Sequence, residues 1–284
     1  MAKPEFPLSV RGLCKRYPSF ELKDVSFDLA PGAITGFIGR NGAGKTTTLN
    51  SILSFIQPDG GEVTFSGLDM ANHAAEIKRK IGFVSAGMTY YTGKKLKIIT
   101  SVTRSFYPQW DDAVYQRYMS RFGLEESKTP AALSNGMKIK YALALALSHG
   151  ADLLLLDEPT SGLDPISREE LIEIFLSLRD AGKTILFSTH ITSDLDKCAD
   201  NILFLQKGRL TADMPLNAFA DAYRLAEYTG SLPEADRPLS LGLCRTRDGC
   251  TALFKTQDAD RLGHPSRKAT LDEIMVHLEK EAEQ

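Results

Sequence analysis

The segment GRNGAGKTTT, residues 39 to 48, sets Gly39, Gly42 and Gly44 ahead of Lys45, Thr46 and Thr47. Gly39, Gly44, Lys45 and Thr46 fit the spacing G-x-x-x-x-G-K-S/T, a phosphate cradle when it lies between a strand and a helix. Glycines let the backbone curl so that successive N–H groups point inward at phosphate oxygens. The candidate cradle is therefore Gly39, Arg40, Asn41, Gly42, Ala43 and Gly44, running on through Lys45, Thr46 and Thr47. A helix opening near Lys45 adds the positive end of its dipole. Lys45 can reach the β- and γ-phosphates, and the Thr46 hydroxyl can ligate Mg²⁺.

Two further places carry matching chemistry. The apolar run LLLLDE ends in Asp157 and Glu158. Asp157 is placed to hold Mg²⁺ through water, and Glu158 to polarise an attacking water as general base. A solvated acidic turn is the plain alternative, but two acids at a buried strand end repel unless a cation sits there. His190 closes the run TILFSTH. It can contact a γ-phosphate or position the water, although a lone histidine at a strand end is more often a packing or capping residue.

A third stretch, LSNGMKIKYALALALS at residues 133 to 148, begins with Ser134 and the backbone of Asn135 and Gly136. A helix N-terminus there can bind an anion, yet one cradle does not need it. The economical reading gives it to the cradle of a second copy, with two chains head to tail and two ATP molecules between them.

These residues need a scaffold. ELKDVSFDLAPGAITGFIG reads as a strand, a Pro-Gly turn and a buried strand. TTTLNSILSF has helical spacing stopped by Pro58. DGGEVTFSG reads as turn and strand, NHAAEIKRK as a short helix and IGFVSA as a strand. From about 87 to 150 the chain reads as a mostly helical insertion. Val114, Tyr118, Met119 and Phe122 keep the 3.6-residue period, with Asp111 as cap. YALALALS alternates like a strand, but Ala and Leu are strong helix formers, so helix is expected. DLLLLDEP reads as a parallel strand buried on both faces, and SREELIEIFLSLRDAG as an amphipathic helix ending at Gly182. TILFSTH is another apolar strand, ITSDLDKCAD a helix and NILFLQKGRL a hairpin. Alternating strands and helices imply a parallel α/β sheet. The signals weaken past 210, where short strand-like pieces precede a closing amphipathic helix, TLDEIMVHLEKEAEQ.

In this order the motifs resemble the ATP-binding subunits of ABC transporters: Gly39–Thr46, the loop LSNGMK, LLLLDEP, SGLD and the histidine of STH. The resemblance covers about residues 8 to 210. LALALSHGADLLLLDEPTSGLDP and FSTHITSDLDKCAD are most similar to single-module bacterial ATPases of the bacitracin-resistance type. It implies an α/β fold of the P-loop NTPase kind, with a mainly parallel core, a small antiparallel part and an inserted helical subdomain. Residues 1–210 would form the ATPase domain and 211–284 a small accessory region. It implies an ATPase with ATP and Mg²⁺, a second ABC ATPase subunit, and a separately encoded transmembrane subunit at the inner face of the cell membrane. Export of a peptide, antibiotic or lipid-like substrate is expected over import. Ser134 and Gly136 belong to the signature loop by this resemblance, and Asp164 would address the partner's phosphate loop. Tyr17 sits where an aromatic residue stacks on adenine; from the sequence alone it is equally a core or surface tyrosine.

The chain departs from the family at Ala86, where a glutamine is expected, and an alanine side chain cannot ligate or hydrogen-bond. Ser85 or Thr89 can substitute only if the loop is displaced. The acidic motif TEVGE of fused exporters is absent before the signature, which reads ESKTPAALS. Translation-type relatives carry two cassettes and repair-type ones a long coiled coil. This chain has one cassette and no heptad run, so soluble action in translation or DNA repair is the lesser reading. A regulatory scaffold without catalysis conflicts with intact Lys45, Asp157, Glu158 and His190.

Bulk properties agree. With 284 residues, 43% hydrophobic and 25% charged, the chain is long enough for a large core. A net charge of −2 demands no nucleic acid. The aromatic and basic stretch from Gly87 to Trp110 reads as a docking surface for a membrane partner, or as plain packing, ahead of a nucleic-acid surface built on interleaved aromatics and lysines. No apolar run approaches the ~20 residues that span a bilayer, and the N-terminus shows no secretion signal. Cys14, Cys198, Cys244 and Cys250 are scattered, as free thiols in a reducing cytosol would be.

Overall fold

The computed structural model describes residues 6–85, 91–263 and 265–283. It opens with a hairpin, β1 (Ser9–Tyr17) and β2 (Phe20–Asp28), followed by the short buried strand β3 (Ile34–Ile38). The glycine loop then enters α1 (Lys45–Ile52). β4 (Gly60–Phe65), β5 (Leu68–Asp69), α2 (Met70–Lys80) and β6 (Ile81–Ser85) come next. The inserted helices are α3 (Leu96–Ser105), α4 (Asp112–Arg121) and α5 (Asn135–Ser148). The chain returns through β7 (Leu153–Asp157), α6 (Pro165–Asp180), β8 (Thr184–Thr189), α7 (Thr192–Cys198), β9 (Asn201–Gln206) and β10 (Arg209–Pro215). Last come α8 (Leu216–Asp221), β11 (Tyr223–Thr229), β12 (Leu243–Arg245), β13 (Gly249–Lys255), α9 (Thr256–Leu262), β14 (Ser266–Lys268) and α10 (Leu271–Glu283).

Among the described residues the strands form three sheets. The central one has the order β10-β9-β3-β8-β7-β6. Its strands pair in parallel except β10, which returns antiparallel on β9. A four-stranded antiparallel sheet, β2-β1-β4-β5, covers one face, and a second, β12-β13-β11-β14, lies in the C-terminal region. β10 carries the central sheet to Pro215, past the boundary expected near residue 210.

The central strands are apolar throughout because each face of the sheet packs a different core, and side chains alternate between the two. Leu154, Leu156, Ile185, Phe187, Ile202 and Phe204 face the helices α5 and α6. Leu153, Leu155, Leu186, Leu203 and Leu205 face α1 and the first hairpin. Burying one such side chain contributes about 1.5–3 kcal/mol.

YALALALS is helical, as its propensities require. Tyr141 through Ser148 are all buried, so its strand-like alternation reflects a helix enclosed on every side. Asp111 caps α4, accepting hydrogen bonds from the N–H groups of Ala113 and Val114.

Candidate functional site

Strands β3, β8 and β7 are neighbours in the sheet. Their C-terminal ends lie side by side, which is where open α/β sheets bind ligands. β3 delivers the glycine loop, β7 delivers Asp157 and Glu158, and β8 delivers His190.

The loop is built for glycine at two points. Gly39 has φ +155°, and a Cβ there would lie 2.3 Å from the Leu205 carbonyl oxygen. Gly44 has φ +114°, and a Cβ would lie 2.6 Å from the Phe20 ring. Between them Ala43 is buried, and its carbonyl accepts the Gly208 N–H at 3.0 Å from the β9–β10 turn. Arg40, Asn41 and Gly42 are exposed at the tip.

Lys45 is 6% exposed. Its ammonium donates to the Gly39 carbonyl at 2.7 Å and stands 3.2 Å from Glu158 Oε1. Glu158 Oε2 accepts from His190 Nδ1 at 2.8 Å. Cation, acid and imidazole thus form one continuous chain across the cleft. Glu158 has φ +52°, a left-handed conformation that costs a non-glycine residue about 1–3 kcal/mol. It is held there by its N–H, which donates to Ser188 Oγ at 2.9 Å and to the Ser188 carbonyl at 3.2 Å. The same Ser188 hydroxyl donates to Asp157 Oδ1 at 2.7 Å. Thr46 Oγ1 donates to Asp157 Oδ2 at 3.0 Å.

The cleft holds about 590 Å³ and is walled by Phe20, Asn41, Gly42, Gly44, Lys45, Thr46, Thr47, Glu158, Ser161 and His190. Most of the expected residues therefore meet there, with Gly39, Ala43 and Asp157 directly behind the wall. Arg40 stands exposed at the loop tip outside the wall, and four more of the expected residues lie apart from it. Tyr17 ends β1, 37% exposed, with the Lys15 ammonium 5.8 Å from its ring centroid. Ser134 caps α5, accepting from the Met137 N–H at 3.2 Å. Gly136, two residues on, approaches the start of α6, where a Cβ would meet Ser167 Cβ at 3.6 Å. Asp164 caps α6, accepting from Ile166 N, Ser167 N and Ser167 Oγ. Those bonds hold its carboxyl below the usual range, the Ser167 hydroxyl contributing most. Ser134, Gly136 and Asp164 thus gather where α5 and α6 begin.

Phe20, Ser161 and Ser188 were not expected. Phe20 is the cross-strand partner of Tyr17, so the hairpin register puts it over the loop. Ser188 gave only a weak sign, a hydroxyl next to the apolar run Ile185–Phe187 of β8. Ala86 and Thr89 lie outside the described residues. Ser85, the last residue of β6, pairs with Asp157 across the sheet.

A second depression of about 310 Å³ lies between α5 and the start of β6, with Phe55, Lys78, Phe83, Tyr107, Leu145 and His149 among its walls. Tyr107 and His149 stack with centroids 4.0 Å apart. His149 Nδ1 donates to the Arg79 carbonyl at 3.1 Å, and burial lowers its pKa. Phe55, Tyr91, Ile98, Val102 and Phe106 are exposed nearby in sequence or on α3.

Among the described residues no helix is long and apolar enough to cross a membrane. Residues 22–161 match the family model described as ABC transporter. The chain is 32% identical over 203 residues to the ABC transporter ATP-binding protein YtrB of Bacillus subtilis, covering 71% of this chain and 69% of that one. It is 32% identical over 209 residues to the bacitracin transport ATP-binding protein BcrA of Bacillus licheniformis, covering 72% and 68%. Among solved structures, an ATP-binding subunit of an ABC transporter superposes with TM-score 0.67 at 29% identity, over 74% of this chain and 90% of that one. A glycine loop, an acidic strand end and a histidine meeting in one cleft are what such relatives need to bind and hydrolyse ATP, and the chain belongs to the ABC transporter family as an ATP-binding, ATP-hydrolysing subunit.

Proposed function

We propose that the chain works as half of an ATP sandwich, in which each cleft is completed by the α5 start of a second ABC ATPase subunit. The observation that carries this is the separation within one chain: Ser134 and Gly136 form an anion-ready helix N-terminus, yet neither lines the cleft of its own molecule. Asp164 stands in the same group and would meet the partner's phosphate loop.

Within each half-site, Lys45 and the loop N–H groups bind the β- and γ-phosphates. Tyr17 stacks on adenine, beside Phe20 on the hairpin. Glu158 takes the proton of the attacking water, and His190 orients that carboxylate through the bond already at 2.8 Å. Thr46 and Asp157 offer only oxygen donors, which suits a hard cation. They would hold Mg²⁺, which supplies charge neutralisation at the β- and γ-oxygens.

Residues 1–210, with the edge strand that runs on to Pro215, would act as the motor, and the rest of 211–284 as an accessory region. The apolar groove beside His149, with the exposed Ile98 and Val102 of α3 and Phe106 just past its end, suits docking of a separate transmembrane subunit. That would keep the protein at the cytoplasmic face of the membrane. Likeness to a bacitracin transport protein supports export of a peptide, antibiotic or lipid-like substrate.

The test is Glu158→Gln. It should keep ATP affinity and lose about 10²–10⁴-fold in turnover. With ATP and Mg²⁺ it should run at twice the monomer mass, and adding Ser134→Arg should abolish that shift. Near-normal turnover removes Glu158 as the base. A monomer at saturating ATP removes the sandwich.

A further inference from the structure

Behind the cleft, three polar atoms are buried with no hydrogen bond of ordinary length: Thr160 Oγ1, Arg168 Nε and Asp194 Oδ2. Thr160 is 0% exposed and Asp194 1%. A buried polar group left so costs about 1–3 kcal/mol, so three in one place call for a reason.

They belong together. Arg168 Nε stands 3.9 Å from Asp194 Oδ1. The Thr160 hydroxyl and the Arg168 charge both favour the ionised carboxylate, while burial, the largest influence, pushes the Asp194 pKa up. Their positions in the chain are more telling. Thr160 lies two residues after Glu158, and Asp194 four residues after His190, in the first turn of α7. Arg168, on α6, also reaches the Leu163 carbonyl with Nη2 at 3.4 Å. The turn 160–164 is thus flanked by the group at both ends, Thr160 at its start and Arg168 against Leu163. The same three residues join the segment leading from Glu158 to the segment leading from His190.

We infer that Asp194 is a positioning residue for hydrolysis, which draws in Thr160 and Arg168 as the turn 160–164 and α7 close on each other, and so fixes the Glu158–His190 pair. It touches neither nucleotide nor water. It acts through the spacing of two loops, and the slack in its present contacts is the distance those loops travel. Hydrolysis depends steeply on such spacing: a displacement of one ångström can cost about 10²-fold in rate. This rests on the reading of Glu158 as base and His190 as its orienting partner.

The experiment measures ATP turnover, binding of a fluorescent ATP analogue and thermal unfolding in the full chain. Asp194→Asn and Thr160→Val conserve shape. Each should lower kcat about 10- to 10²-fold, with KM and analogue affinity held within about twofold. The double variant should be no slower than the worse single one, because the two act as one unit. Unchanged kcat in both variants overturns the inference. So do losses that multiply in the double variant, and a fall in kcat that comes with equal loss of ATP affinity and of thermal stability. If Asp194→Asn does not fold, Thr160→Val alone decides, since it leaves the buried carboxylate in place. Normal turnover in Glu158→Gln would defeat the underlying base assignment instead. Turnover lost in Glu158→Gln and His190→Ala, but kept in Asp194→Asn and Thr160→Val, defeats this inference alone.

Discussion

The central sheet and the C-terminal sheet both bury polar side chains, but they spend them differently. In the central sheet Lys45, Asp157, Ser188, Glu158 and His190 converge on one cleft and bond to one another. In the C-terminal sheet each polar group has its own local partner. His277 Nδ1 donates to the Glu273 carbonyl at 2.7 Å, with Thr251 Oγ1 3.1 Å from its Nε2. The Tyr228 hydroxyl donates to Asp236 Oδ2 at 3.2 Å, and burial there pushes the phenol up to about 12. Arg267 grips Glu273 through two bonds, at 2.9 and 2.6 Å. Convergence marks a site, whereas dispersed pairs mark a scaffold. Yet the two regions are not independent bodies. Leu225, Leu253, Leu271 and Ile274 belong to the same apolar cluster as Phe204 and Phe219, while the opposite face of the C-terminal sheet packs Ala252 and Phe254 on Ala259 of α9.

The contrast breaks most visibly at Gly39. Gly39→Ala combines positive-φ strain of about 1–3 kcal/mol with a clash on the Leu205 carbonyl. ATP affinity should fall by about 10²-fold or more in a fluorescence titration. Near-normal binding would mean that the loop does not need this backbone. Next comes the shared core. Leu253 is fully buried, and Leu253→Ala should cost about 2–5 kcal/mol. Calorimetry should show one transition shifted as a whole; two separate transitions would make the sheets thermodynamically distinct. The smallest effect lies at Glu273, whose bond to the Arg267 guanidinium holds its carboxyl down to about 2. A folded value below the unfolded one adds stability that is complete above the ordinary glutamate range and lost as pH falls toward about 2. Glu273→Gln should therefore lower Tm by about 2–4 °C at neutral pH, and the difference should close in acid. A gap that persisted near pH 2 would assign the loss to packing.

What could be read in advance follows the same division. The cradle, the acidic strand end and His190 were legible because phosphate chemistry restricts residue type at fixed spacing. The buried strands were legible because LLLL and TILF leave no polar face. Phe20 was not, since its place over Gly44 depends on hairpin register and on nothing in its neighbours. Ser188 was hidden for a similar reason: a serine in a strand is unexceptional until its hydroxyl is seen bridging Asp157 and Glu158. The C-terminal sheet was barely legible, because β12 and β14 are each three residues long and their pairing is decided by distant partners. Tyr17, which the motif singled out, and Phe20, which lines the cleft, face each other across the hairpin.

The helix α5 joins two surfaces that never touch. Its first turn holds Ser134 and its last runs into His149 at the apolar groove. Fourteen residues make a rod about 21 Å long, enclosed on most sides and so stiff. A swing of about 10° at the groove would carry the Ser134 end through roughly 3.6 Å on that length. That is slightly more than a hydrogen-bond length, so if the Ser134 end meets a partner's nucleotide as proposed, a gentle push at the groove would make or break that contact.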